Sequence, residues 1–88
     1  MNNFTNHLYY IGQQICNQNK VPFEVLKPLI QETATKLSNI SPLEAQTGPA
    51  KRKDTQTIAK HVHQLPENLK NIYTLLTKSI SEIYEQKL

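Results

Sequence analysis

Phe4, Leu8, Ile11 and Ile15 follow one another at steps of four, three and four, and the same step returns in Leu69, Ile72, Tyr73, Leu76, Ile80 and Ile83. Side chains three or four positions apart share one face of a helix. No stretch alternates apolar and polar residues in the strand period, and neither glycine follows Asn or Asp to make a hairpin turn. The pattern predicts an all-α fold: a bundle of about four main helices with one long ordered loop.

The first helix is expected over residues 3–19, with Asn2 or Asn3 at its cap and Tyr9, Tyr10 and Cys16 widening the apolar surface. The second is expected from Pro22 to about residue 39, with Phe23, Leu26, Ile30, Thr33, Leu37 and Ile40 on one face. Pro28 should bend its first turns or leave them irregular, because it lacks an N–H and crowds the preceding turn. Periodicity then stops from Ile40 to Lys53. Within that connection Ser41, Pro42 and Glu44 make a helix-start pattern for a single turn. Asp54 is placed to cap a short helix over 55–64, faced by Ile58, Val62 and Leu65 and stopped by Pro66. The last helix starts near Pro66-Glu67 and runs four turns or more.

At 88 residues and 10.1 kDa the chain makes one domain and cannot hold a nucleotide-binding fold together with a separate substrate domain. A domain of this size buries only about 60 to 70% of the surface its unfolded chain exposes, so covering by a partner adds much to its stability. Charged residues are 19% and apolar residues 38%, which excludes a highly charged disordered tail. The net charge of +3 comes from residues 51–60, where Lys51, Arg52, Lys53 and Lys60 face Asp54 alone. One short basic stretch is a poor footprint for a nucleic-acid duplex. No apolar run approaches the roughly 20 residues of a membrane span. Cys16 has no second cysteine to pair with, and no signal-peptide pattern precedes the first helix, so a cytoplasmic protein is expected.

Gly12 and Gly48 are the only glycines, which rules out GxGxxG and Walker A phosphate loops. His61 and His63, two apart, diverge by roughly 200° on a helix and cannot share a metal ion. Neither Cys16 nor His7 has a base or orienting partner nearby in sequence, so Cys16 reads as a small buried hydrophobe and the Tyr9-Tyr10 pair as packing or interface surface. The segment Thr47-Gly48-Pro49-Ala50-Lys51-Arg52-Lys53-Asp54 combines a hydroxyl, a turn and a cationic cluster ahead of a helix, a combination suited to a carboxylate or phosphate. The plain alternative is a solvated basic loop capped by Asp54. On that footing the chain can also be an independent helical interaction module that binds an acidic partner through residues 51–53.

Several runs carry a resemblance: Pro22-Phe23-Glu24, Leu29-Ile30-Gln31-Glu32-Thr33, Ala45-Gln46-Thr47-Gly48-Pro49-Ala50, Arg52-Lys53-Asp54, Thr57-Ile58 and His61. Together they resemble the DUF2520 domain over nearly the whole chain, with TGPxxRxD the most specific part. The resemblance implies the C-terminal helical half of a Rossmann-like oxidoreductase, similar to pyrroline-5-carboxylate reductases and to NADP- or F420-dependent reductases. It also implies a fold like the C-terminal domain of 6-phosphogluconate dehydrogenase, with helices that pair in a homodimer. Residues 1–88 would then be a domain excised from a longer chain. NADP or NAD would bind the N-terminal Rossmann domain and not this fragment, which by itself would be inactive. Carried over by position, the residues facing a small-molecule substrate are Asn3, Asn6 and His7 on the first helix and Thr47, Gly48 and Arg52 in the loop. Lys53 stands where the family usually has glycine, so a positive φ is expected to strain it.

Overall fold

The computed structural model describes residues 2–86, with side chains for 2–85. Its described residues form helices α1 (Asn2–Gln18), α2 (Lys27–Lys36), α3 (Pro42–Ala45), α4 (Pro49–Arg52), α5 (Thr55–Gln64) and α6 (Glu67–Gln86), plus one 3-10 turn at Phe23–Val25. The fold is all-α. Two compact units divide the chain, residues 1–42 and 43–88.

In the first unit, α1 already includes Asn2 and Asn3, so neither caps it. Cys16 is the buried hydrophobe of this unit, at 7% exposure. The helix ends in a Schellman motif: Val21 N–H donates to the Cys16 carbonyl at 2.8 Å and Lys20 N–H to Asn17 at 3.3 Å. Lys20 takes the left-handed conformation there, with φ 59°.

The helix expected from Pro22 to residue 39 is broken at its start. Pro22 is extended, residues 23–25 make the 3-10 turn, and α2 begins only at Lys27, which places Pro28 in its first turn. An α-helix begun at Pro22 would have carried Pro28 in its interior, where its ring meets the carbonyl four residues back. At the other end α2 stops at Lys36. Leu37, Ser38 and Asn39 then donate back three residues, to Ala34, Thr35 and Lys36, so the last expected turn winds more tightly than an α-helix.

In the second unit, the connection expected to carry one helical turn carries two. The turn predicted at Ser41-Pro42-Glu44 is α3. The turn that sequence reading missed is α4, entered through Gly48 with Pro49 at its first position, the favoured place for proline. α4 ends like α1: Asp54 N–H reaches the Pro49 carbonyl at 2.9 Å, Lys53 N–H reaches Ala50 at 3.3 Å, and Lys53 is left-handed at φ 58°, ψ 38°. The expected strain is present. A non-glycine residue held there costs about 1 kcal/mol, so Lys53→Gly should raise unfolding stability by up to that amount in urea titration. An unchanged midpoint would mean that the turn relaxes away from positive φ in solution.

α5 spans the expected residues 55–64 and is capped by Asp54, whose carboxylate accepts the Thr57 backbone N–H at 3.1 Å and the Thr57 hydroxyl at 2.7 Å. Leu65 turns extended before Pro66, and α6 starts at Glu67. Ile58, Val62 and Leu65 are half-buried, and α4 and α5 both pack on α6. Ala50, at 6% exposure, is the buried hydrophobe of this unit. Its single methyl group suits a helix that packs at close range.

Candidate functional site

The two groups of residues singled out by sequence fall in separate units. Asn3, Asn6 and His7 lie in the first turns of α1, and the spacing 3, 6, 7, 10 puts them on one face with Tyr10. The His7 and Tyr10 rings are 6.2 Å apart, and the Tyr10 hydroxyl accepts from Gln14 Nε2 at 3.0 Å. Asn6 borders a shallow concavity with Tyr9, Tyr10, Gln13 and Phe23. Phe23 was expected only as an apolar-face residue and Gln13 was not singled out; Gln13 follows Asn6 at seven residues, two helical turns, which is the signal that could have found it. Beside it runs an apolar groove between α1 and the α2 region, lined mainly by Leu8, Gly12, Phe23, Leu26, Leu29 and Ile30.

Thr47, Gly48 and Arg52 are brought together by α4. Gly48 has φ 103° and ψ 171°, a combination essentially confined to glycine, and an added Cβ would meet nothing within 4 Å. Thr47 is exposed and its carbonyl accepts from Gln46 Nε2 at 3.0 Å. The cationic triplet is divided among tasks. Lys51 Nζ donates to the Gln46 carbonyl at 3.1 Å and lies 5.3 Å from the centre of the Tyr84 ring. Arg52 stays 61% exposed and pairs with Asp54 at 3.7 Å. The N-terminus of α5 is therefore occupied by the chain's own carboxylate, and the exposed fork of Arg52 is what the segment offers an anion.

Thr57, through its hydroxyl and then its backbone N–H, holds the Asp54 carboxyl below its ordinary value of 3.8, and Arg52 adds a smaller pull in the same direction. A carboxyl with a lowered folded pKa stabilises the fold above its unfolded pKa and loses that contribution as pH falls through the folded value. Stability should therefore drop in the acid range below pH 3.8. Asp54→Asn should flatten that part of the curve when unfolding is followed from neutral pH to acid; an unaltered acid limb would disprove the linkage.

Farther along α5, His61 Nδ1 lies 2.7 Å from the Tyr73 hydroxyl, with the rings edge to face at 5.7 Å. His63 is exposed. Among the described residues no three His, Cys, Asp or Glu side chains gather to hold a metal, and no helix is long and apolar enough to cross a membrane. A dinucleotide needs a strand, a glycine turn and a helix N-terminus for its pyrophosphate. The described residues contain no strand, Gly12 is interior to α1, and Gly48 precedes a single helical turn, so they do not form that strand, turn and helix arrangement.

Residues 1–80 match the family model described as a domain of unknown function, DUF2520. The chain belongs to the DUF2520 family. Among solved structures, this DUF2520 domain is similar to the crystal structure of a "putative NADP oxidoreductase" from Bacteroides fragilis, at 41% identity and a TM-score of 0.87. The match covers 91% of the domain and 32% of that neighbour, so the domain spans about a third of its length. No curated protein matches the chain.

Proposed function

We propose that this DUF2520 domain is the pairing and substrate-pocket part of an NAD(P)-dependent oxidoreductase of the cytoplasm, whose dinucleotide sits on a separate Rossmann domain. The observation that carries this reading is the close likeness to one third of a protein described as a "putative NADP oxidoreductase". The domain's own residues supply no dinucleotide cradle. Their contribution is to orient a small substrate: Asn3, Asn6 and His7 present amides and an imidazole from one face of α1, and Thr47, Gly48 and Arg52 present a hydroxyl, an open backbone and a guanidinium. The uncovered apolar groove of the first unit supports pairing with a second copy.

The rival reading is an independent module that takes an acidic partner on residues 51–53. The exposed guanidinium of Arg52 serves either reading, and what favours the first is the likeness to a protein described as a "putative NADP oxidoreductase". Titration calorimetry with NADPH tests the division of labour: the 88-residue chain should give no saturable heat. Saturable binding to this chain alone would overturn the assignment of the cofactor to a separate domain. Light scattering over a concentration series should show a dimer, whereas a folded monomer at high concentration would remove the pairing role.

A further inference from the structure

Side chains reach several carbonyls of segment 43–53, which runs from within α3 to just past α4. Tyr84 donates its hydroxyl to the Leu43 carbonyl, and Ser81 Oγ donates to Ala50 at 3.4 Å. Residues 81 and 84 are three apart, so both contacts come from one face of α6 near its end. Between those two anchors Lys51 Nζ spans from the Gln46 carbonyl to the Tyr84 ring. A cation near an aromatic face is attracted by the ring quadrupole. Tyr84 thus holds the segment twice, by its hydroxyl at Leu43 and by its ring at Lys51.

We propose that Tyr84 and Lys51 form a latch that fixes segment 43–53 on α6 and thereby sets the direction of Arg52. Consecutive helix positions diverge by about 100°, so turning Lys51 onto Tyr84 puts Arg52 on a different side of α4, where it stays exposed. The two are positioning residues. Their consequence for substrate rests on the reading that Arg52 meets it, but the latch is a property of this chain and is tested on this chain.

The measurement is amide hydrogen exchange and proton NMR on Tyr84→Phe, which keeps the ring, on Tyr84→Leu, which loses ring and hydroxyl, and on Lys51→Met. Exchange at the amides of residues 46–53 should quicken about fivefold in Tyr84→Phe and Lys51→Met and more in Tyr84→Leu, while Ile72–Leu76 in α6 keep their rates. The Lys51 ε-methylene protons should be shifted upfield by the ring in wild type and Tyr84→Phe and return to the ordinary position in Tyr84→Leu. Unshifted ε protons in wild type, or unchanged exchange in Lys51→Met, would overturn the latch even if Tyr84→Leu failed to fold. If Arg52 does not meet substrate, Arg52→Ala in the longer enzyme leaves the KM unchanged, and these spectra are unaffected.

Discussion

Gly48→Ala should destabilise the chain by about 1–3 kcal/mol, the cost of holding an L-residue in a backbone region open to glycine alone. Steric crowding contributes nothing, because an added Cβ finds open space. The whole effect therefore comes from φ 103° and ψ 171°. In a unit whose buried hydrophobe is a single alanine, Ala50, that is a large fraction of what holds α4 in place. Urea unfolding of Gly48→Ala measures the loss, and a D-alanine at position 48, introduced by chemical synthesis, supplies the opposite sign. The D-residue is relaxed at this φ and restricts the unfolded chain, so it should match or exceed the wild-type midpoint. Equal midpoints for glycine and L-alanine would show that positive φ is not held in solution. Because Gly48 lies between Thr47 and Pro49, the L-alanine variant should also misplace the Thr47 hydroxyl relative to Arg52.

The second large effect is expected in the apolar groove of the first unit. Of the side chains that line it, Leu29 is 59% exposed and Leu8 44%. Burial of these side chains against a second copy is what the proposed pairing requires. Leu29→Asp removes a side chain worth about 1.5–3 kcal/mol when buried and places a carboxylate where it must be desolvated, so dimer dissociation should strengthen about 100-fold. Leu8→Asp, across the groove, should act in the same direction. Both side chains are largely exposed within the chain, so helicity by circular dichroism should survive either change. Light scattering gives the association constants, and Asn17→Asp on the exposed side of α1 is the neutral control. If Leu29→Asp and Leu8→Asp leave the mass unchanged, this groove is not where copies meet.

The helices were legible where an apolar stripe and a stop signal agreed. Asp54, three residues before Thr57, and Pro66 after Leu65 bounded α5 to the residue, because capping and proline exclusion are local effects. Lys53 was legible as a strained position only through the resemblance, because the family usually has glycine there. No such signal marked Lys20, although the Schellman hydrogen bonds at the two sites are alike. α4 was missed because one turn of Pro-Ala-Lys-Arg has no period to detect, even though Gly48-Pro49 is itself a helix-start signal. The split of the second helix was half legible, since Pro28 announced an irregularity without fixing where the α-helix resumes.

Local sequence therefore determined the all-α class, the caps and stops of α5, and the chemistry offered by Thr47, Gly48 and Arg52, since these depend on neighbours within a few residues. Only the tertiary structure decided which cation lies against an aromatic ring. Lys51 and Arg52 are equivalent in a charge count, and what separates them is Tyr84, 33 and 32 residues further along the chain, whose ring engages one and not the other. Contacts at that separation depend on how α4 packs against α6, and no local pattern encodes them.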